Sequence, residues 1–531
     1  MSESQSAVRA DVGAGGLSRP IDSEACVPGV PHAPPAASAA VWQAVREAMS
    51  FPVLMAVLLV SVSLMSLRLR LPDPDTWWHV AVGEHILTTH TWPTSDFYSF
   101  TAPGVHWMAY EWLGEVVMAL AARAGGLWGL AALLLGLLAV LTVLLYYYVC
   151  LRCESAKAAF LATALLLPVA AVSFTLRPQL LGYAFLLLTL ICLERFRRGH
   201  SKSLWFLPFL FLIWVNTHGT FALGLAAMAL YWASGLVDFR QGGLTSKRWT
   251  KDQRVQLSVT FLLCSLALLV TPYGSRLAAY PLEMATSQPV NIANIQEWQP
   301  LSFSLGLGKY LLVLLLVVFF AHVVLPLQYR LEEIGMLLFA VYAICVHIRF
   351  VPVFVMLFAP VVANILARWV PRYDRAKDKY ILNFAIIALA VAGLTQFLPG
   401  ENELNKMVAK EYPVEATKYL RYHPQPTGMF NDYGYGGYLI WQLGPQHKVF
   451  IDGRADLYEY SGVLQDYMKI VNLDREALSL LRKYDIQSCL VNRKDAVATL
   501  LAASPDWKQV YSDDLSAIFV WKGSADALRR N

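Results

Sequence analysis

Charge is what this chain lacks. Of 531 residues only 15% are Asp, Glu, Lys or Arg, against about 25% in an ordinary soluble domain. Apolar residues make up 56%. That balance excludes a soluble globular enzyme and a disordered chain. The seven cysteines are odd in number and lie mostly in apolar stretches, so no disulfide framework is implied. Cys150 and Cys153 have the C-x-x-C spacing, but without a second Cys/His pair a metal there is not expected. No G-x-x-x-x-G-K-[ST] and no H-E-x-x-H occurs, and Tyr433–Tyr438 (YGYGGY) lacks the spacing of a dinucleotide fingerprint. The net charge of +5 carries no nucleic-acid signal in so apolar a chain. There is no internal repeat.

The apolar residues fall in long blocks between about 50 and 398, and the last 130 residues read as ordinary soluble sequence. A polytopic α-helical membrane protein with a small C-terminal α/β domain follows. Residues 1–45, rich in Ala, Pro, Ser and Gly, are expected to be disordered. They lack the apolar core of a cleaved signal peptide, so the first block reads as an uncleaved anchor. Eleven spans are expected, near 50–67, 127–150, 158–175, 180–195, 204–217, 219–237, 255–271, 309–326, 334–348, 352–368 and 381–398. Trp112–Gly125 is apolar but short and holds Glu115 and Arg123, so it reads as a helix lying on the outer face.

Five connections are basic: Leu151–Lys157, Arg195–Lys202, Arg240–Arg254, Gln328–Glu333 and Val370–Tyr380. An odd span count puts all five inside, as the positive-inside rule requires. The N-terminus is then cytoplasmic, the region 400–531 extracytoplasmic, and the protein multi-pass in an inner (plasma) membrane. Within 400–531, Gly428–Phe430, Tyr438–Gln442, Val449–Asp452, Ser488–Asn492, Val510–Tyr511 and Ala517–Trp521 read as strands. Glu415–His423, Ser461–Val471 and Arg475–Lys483 read as helices. The glycines of YGYGGY read as a tight turn before a strand.

The same topology collects out-of-place polar residues on the outer face. The first outer loop, 68–126, holds Asp73-Pro74-Asp75-Thr76-Trp77-Trp78-His79, then Gly83-Glu84-His85, Asp96-Phe97-Tyr98-Ser99 and Glu111-Trp112. Asp75 and His79 stand four apart at the start of an expected helix, so their side chains can converge. Such a pair can hold a divalent cation (Mg or Mn), and an acid there can deprotonate a hydroxyl. Asp75 or Thr76 is also an ordinary helix cap, and Glu111 an ordinary interfacial acid. Arg177, His218 and Arg349 sit in turns between apolar blocks. An Arg at a membrane boundary is costly unless paired or bound to a headgroup, and its planar fork suits phosphate. Three such residues on one face suggest a pocket for a lipid phosphate; each alone can instead snorkel or pair with an acid. Asp452-Gly453-Arg454 reads as a turn held by a structural salt bridge.

At this point the chain resembles the GT-C superfamily of integral membrane glycosyltransferases. The resemblance lies in the topology, the acidic first outer loop with its Asp73-x-Asp75 pair, and the soluble region on the same side. Closer still, D-P-D-T-W-W-H, an R-P-Q turn (Arg177–Gln179), an N-x-H-G turn (Asn216–Gly219), a P-Y-G turn (Pro272–Gly274) and F-I-D-G-R (Phe450–Arg454) resemble an uncharacterised bacterial group, over about 51–521. The resemblance implies a polyprenyl-phosphate sugar donor and a glycan, lipid or protein acceptor. It implies transfer with inversion, and sometimes a divalent metal. Asp75 would be the base, with Asp73 second. Glu111 would orient the acceptor or a metal, and Arg177, His218, Arg349 and His79 would hold substrate. An O-antigen ligase or polymerase, a transporter or flippase, and an inactive scaffold of the same fold are the rivals. The ligases usually place their large loop late, and no duplicated halves point to a transporter.

A cysteine placed at Arg177 or Arg349 should be labelled by a membrane-impermeant reagent from the outer face. Labelling of either from the cytoplasm breaks the one-face arrangement.

Overall fold

A computed structural model describes residues 37–66, 73–304 and 306–523. Residues 1–36 of the expected disordered segment, and Leu71 and Pro72 of the first loop, lie outside the described residues. Met1–Ala48 and Met49–Asn531 are two separate units. The described part of the first is one helix, α1 (Ala37–Ala48), where disorder was expected to continue to residue 45. Its five alanines, the best helix formers, account for the difference.

The second unit opens with α2 (Phe51–Ser66), α3 (Pro74–Thr89), α4 (Trp112–Cys153), α5 (Ala156–Ala170), α6 (Gln179–Arg197), α7 (Leu207–Val215) and α8 (Phe221–Ser234). A hairpin of β1 (Phe239–Gln241) and β2 (Leu244–Ser246) leads to α9 (Lys251–Ala267), α10 (Ser275–Thr286), α11 (Pro289–Asn294) and α12 (Gly306–Val324). After β3 (Tyr329–Arg330) come α13 (Leu331–Val346), α14 (Val351–Leu366) and α15 (Tyr380–Phe397). The C-terminal region holds α16 (Glu401–Glu411), α17 (Val414–Tyr422), β4 (Met429–Asn431), α18 (Tyr433–Leu443), α19 (Ala455–Tyr460), α20 (Val463–Val471), α21 (Ala477–Lys483), β5 (Ser488–Asn492), α22 (Ala496–Ala503), β6 (Trp507–Ser512) and β7 (Ser516–Trp521).

Every one of the eleven apolar blocks is helical. Six helices among the described residues are long and apolar enough to cross a membrane: α4, α5 with the 3-10 turn to Ser173, α6, α12, α14 with the turn from Ile348, and α15. The other five blocks form α2, α7, α8, α9 and α13. At 1.5 Å per residue these stop short of the roughly 20 residues that a straight crossing of a 30 Å hydrocarbon layer needs. The protein is therefore a multi-pass membrane protein, with six full-length apolar helices among the described residues; the expected eleven crossings are not established by helix length.

Helix α4 answers the problem of Trp112–Gly125. Gly125 and Gly126 leave helical geometry (Gly126 at φ 55°), so a short leg is broken from the long apolar leg that runs to Cys153. A left-handed residue is cheapest as glycine. Because α4 is so long, Glu111 and Glu115 lie at one end of the bundle and Arg152 at the other. That far end is laced by ions: Arg152 pairs with Glu194 and Glu333, Arg330 with Glu194 at 2.7 Å, and Arg197 with Glu332 at 2.6 Å. These are the basic connections of the sequence, tied by acids from α6 and α13.

The C-terminal region carries a four-stranded sheet in the order β4-β5-β7-β6, with β4 and β5 parallel and the other pairs antiparallel. Two segments differ from expectation. Tyr438–Gln442 belongs to helix α18 and is not a strand. Val449–Asp452 forms only a single bridge, Ser99 to Val449. The glycines of α18 explain the first. A Cβ on Gly436 would lie 2.0 Å from the Ile451 carbonyl oxygen, and one on Gly437 2.5 Å from that of Pro74. They permit α18 to press onto α3, and packing outweighs their low helix propensity. One hydrophobic core therefore joins the first loop (Trp78, Val82, Trp107) to the C-terminal region (Leu439, Phe450, Tyr458).

A buried ion triad fastens the two. Arg454 donates to Asp452 (2.6 Å) and to Asp96 (2.7 Å), with all three side chains wholly buried. Asp96 also accepts from the amides of Tyr98 and Ser99. The salt bridge expected at Asp452-Gly453-Arg454 is present, with a loop acid as its third member. Arg454→Met leaves two buried carboxylates uncompensated and should cost about 3–5 kcal/mol. The thermal midpoint of the purified protein should fall steeply, and an unchanged midpoint would show that the triad does not hold the loop.

Candidate functional site

Six stretches that are far apart in sequence meet at the α4 N-terminal end of the bundle. Helix α3 begins with Asp73 as its cap, accepting from the Asp75 amide at 2.9 Å, and Pro74 starts its first turn. The capping role weighed for this motif therefore falls to Asp73, which leaves the Asp75 side chain for other partners. The start of α4 supplies Glu111 and Glu115. The turn before α6 supplies Arg177, the turn between α7 and α8 supplies His218, and the 3-10 turn before α14 supplies Arg349. The last member, Glu297, comes from the short turn Gln296–Trp298 after α11.

Arg177 is the hub. Its guanidinium lies 2.5 Å from Asp75 Oδ2, 2.5 Å from Glu297 Oε2 and 3.7 Å from Asp73. Glu297 reaches Arg349 with its other oxygen at 3.6 Å, and the Arg349 guanidinium stacks on the Trp298 ring at 3.9 Å. Asp75 Oδ1 accepts from Trp78 Nε1 at 3.0 Å. Beside this group, Glu111 lies between two imidazoles, 3.5 Å from His79 Nε2 and 3.2 Å from His218 Nε2. The other His79 nitrogen is 3.1 Å from Glu115.

Five acids here share two guanidinium ions, and burial sharpens the imbalance. Burial pushes the Asp75 carboxyl up to about 7, against the pull of an Arg177 shared among three carboxylates. Burial likewise raises Glu111 to about 8. Burial also raises Glu297, but Arg177 and Arg349 outweigh it and hold that carboxyl down at about 2. Arg177 is desolvated too, and its three acids keep it well above the ordinary value. Both histidines are neutral: burial, then Arg349 and Arg177, lowers His218 to about 3, and burial with Arg177 takes His79 well below its usual range.

The hydrogen positions follow. The Thr220 amide donates to His218 Nδ1 at 3.1 Å, so His218 carries its proton on Nε2, the nitrogen that faces Glu111 at 3.2 Å. Neutral His79 has one N–H for two carboxyl partners. It hydrogen-bonds Glu115, and facing Glu111 as well at 3.5 Å favours a proton on one of those acids, which agrees with the raised Glu111.

All seven residues singled out in the sequence thus lie at this end: Asp73, Asp75, His79, Glu111, Arg177, His218 and Arg349. The metal reading of Asp75 and His79 fares differently. Asp75 is taken up by Arg177 and Trp78, and His79 by two glutamates. Among the described residues no group of three His, Cys, Asp or Glu can hold a metal ion. The donors do not fit a dication there. Sequence reasoning missed Glu297 and passed over Glu115. Glu297 carried one weak signal: only it and Glu283 are acidic in the stretch 272–308.

The C-terminal region closes over this cluster. A Cβ on Gly453 would lie 1.8 Å from Asp75 Oδ1, so glycine alone lets the Asp452–Arg454 turn pass the acid.

The fold and site together define a polytopic membrane protein with a buried acid–arginine cluster at one end, under an α/β layer. No family model matches the chain, and no curated protein matches it. Its structural neighbours include the oligosaccharyltransferase AglB of Archaeoglobus fulgidus, a GT-C superfamily enzyme. The structure of that protein with an inhibitory peptide and a dolichol-phosphate has a TM-score of 0.47 and 11% identity, covering 82% of this chain and 69% of that one. The apo form gives 0.45 and 10%, with the same coverage. The complex with Zn and sulfate gives 0.39 and 10%, covering 82% and 68%. At that identity, and with TM-scores below 0.5, the neighbours decide neither reaction nor substrate.

Raised carboxyl groups make stability depend on pH. Asp75 and Glu111 hold protons in the folded state that the unfolded chain releases near 3.8 and 4.5. His79 and His218, neutral in the folded state, take up protons in the unfolded chain below about 6.5 and offset this there, so folding stability should fall as pH rises from about 6.5 to about 8, and level off above. Asp75→Asn should flatten that slope in thermal melts across pH, and an unaltered slope would place the proton elsewhere.

Proposed function

We propose that the protein is a membrane glycosyltransferase of the GT-C type. It moves a sugar from a polyprenyl-phosphate donor to an acceptor hydroxyl on the extracytoplasmic face, with inversion. The observation that carries this reading is the pairing of Asp75, a buried acid held near neutrality, with Arg177 at 2.5 Å and Arg349 close behind. Glycosyl transfer from a lipid phosphate needs those two elements at one place: a base for the hydroxyl, and fixed positive charge for the departing phosphate.

In this reading Asp75 takes the acceptor proton, and Asp73, beside Arg177, is the second candidate. The acceptor oxygen attacks the anomeric carbon, the bond from that carbon to the phosphate oxygen breaks, and polyprenyl phosphate leaves. Arg177 and Arg349 take the phosphate charge, and His218, neutral, donates. Glu111 orients the acceptor, with His79 fixing Glu111. No step runs through a metal, since the donors do not suit one. The membrane part is 50–398 and the extracytoplasmic α/β part 400–531, with the N-terminus in the cytoplasm of a bacterial cell. Arg152, Arg197, Arg198 and Arg330 at the opposite end of the helices support that orientation.

Asp75→Asn should abolish transfer from a polyprenyl-phosphate sugar in reconstituted vesicles while leaving expression intact. Wild-type transfer should rise with pH through about 7, where the acid loses its proton. Transfer by the Asn variant at the wild-type rate removes Asp75 from the reaction.

A further inference from the structure

Glu297 has no part in the steps above, yet it is the best-placed anion in the cluster. It belongs to a strap of residues 287–299 that crosses the site. One end is held by the C-terminal region: the Glu459 carboxylate on α19 accepts from the amides of Val290 (2.8 Å) and Asn291 (2.7 Å). The other end lies on the turn that carries Arg349. The Trp298 carbonyl accepts from His347 Nδ1 at 2.6 Å, and the Ile348 amide donates to the Gln299 carbonyl at 2.9 Å. The Gln299 side-chain amide closes the strap on itself through the Ile292 and Ala293 carbonyls.

We infer that Glu297 is an internal stand-in for the donor phosphate, occupying the anion position between Arg177 and Arg349 until a lipid-linked phosphate displaces it. The inference rests on the reading of those two arginines as phosphate ligands. Geometry supports it first. One carboxylate oxygen faces each guanidinium, as two non-bridging oxygens of a phosphate would. Charge supports it second. Glu297 is the acid that Arg177 and Arg349 together hold charged, and a phosphate entering beside it would put a second anion between the same two guanidinium ions. A phosphodiester that replaces Glu297 exchanges one negative charge for one and leaves the balance intact. Position supports it third. With 29% of its side chain exposed, Glu297 is the most accessible of the acids, and Arg349, at 24%, is next to it at the mouth. Val290 and Ile295 pack the strap's first part against the core, whereas Glu297 itself is held by its two arginines. The C-terminal region, through Glu459, thus sets the resting position of the group that competes with the donor.

The test uses full-length protein in nanodiscs free of polyprenyl lipid, titrated with undecaprenyl phosphate, with affinity and association rate both read. Arg349→Gln should weaken binding at least tenfold. Glu297→Gln, which keeps the side chain's shape and removes its charge, should tighten binding about tenfold. Glu459→Gln should raise the association rate several-fold by freeing the strap. If Arg349→Gln weakens binding but Glu297→Gln leaves it unchanged or weaker, the stand-in is overturned and the phosphate reading survives. If wild type does not bind, or Arg349→Gln binds as wild type does, the phosphate reading itself fails. Should Glu297→Gln not fold, the Glu459→Gln association rate decides, and an unchanged rate overturns the inference.

Discussion

A buried arginine holds this molecule's two halves in register. Arg454 has no access to water, and its charge is balanced only because Asp452 comes from its own turn and Asp96 from the first loop. Such a triad is expensive to bury and tolerates no missing member. Its geometry consequently fixes where the first loop lies against the C-terminal region. From that contact the rest follows: α18 lies on α3, Gly453 passes Asp75, and the acid is partly covered. The raised Asp75 is thus a product of the C-terminal region as much as of its own helix.

The charge economy of the chain has two poles. At the Arg152 end, cations and acids pair locally, and the network ties α4, α6 and α13. At the other end the acids exceed the cations, and the surplus is carried as protons on buried carboxyls. The first arrangement suits a structural brace. The second suits chemistry, because a group whose charge state is finely balanced can change it at small cost.

Much of this was legible in the sequence, for physical reasons. In a chain so poor in charge, an Asp-Pro-Asp run or an arginine between apolar blocks stands out, and Asp73, Asp75, Glu111, Arg177, His218 and Arg349 were found that way. The helices were legible because apolar blocks are long-range patterns, whereas their exact ends, which set their length, were not. YGYGGY misled because the intrinsic cost of glycine in a helix is local, whereas the reason for those glycines is a backbone from elsewhere pressing on them. Glu297 was nearly invisible for the same reason, its scarcity among acids in 272–308 being a weak signal. One acid in a long loop has little signature, and only the fold brings it to Arg177, 120 residues away in the chain. Glu115 looked like an argument against a membrane span, when it is the second partner of His79.

Those two glutamates and the ring between them amount to a counter. Neutral His79 points one hydrogen either to Glu111 or to Glu115, and the proton on the acids takes the opposite place. Passing that proton across the ring reverses both contacts and asks only that the 3.5 Å gap to Glu111 close to hydrogen-bond length. The cluster can therefore present Glu111 as a donor or as an acceptor to whatever lies beside it, with little change in shape and none in total charge. Direction of polarity, rather than movement of the chain, is the variable that this corner of the protein leaves free.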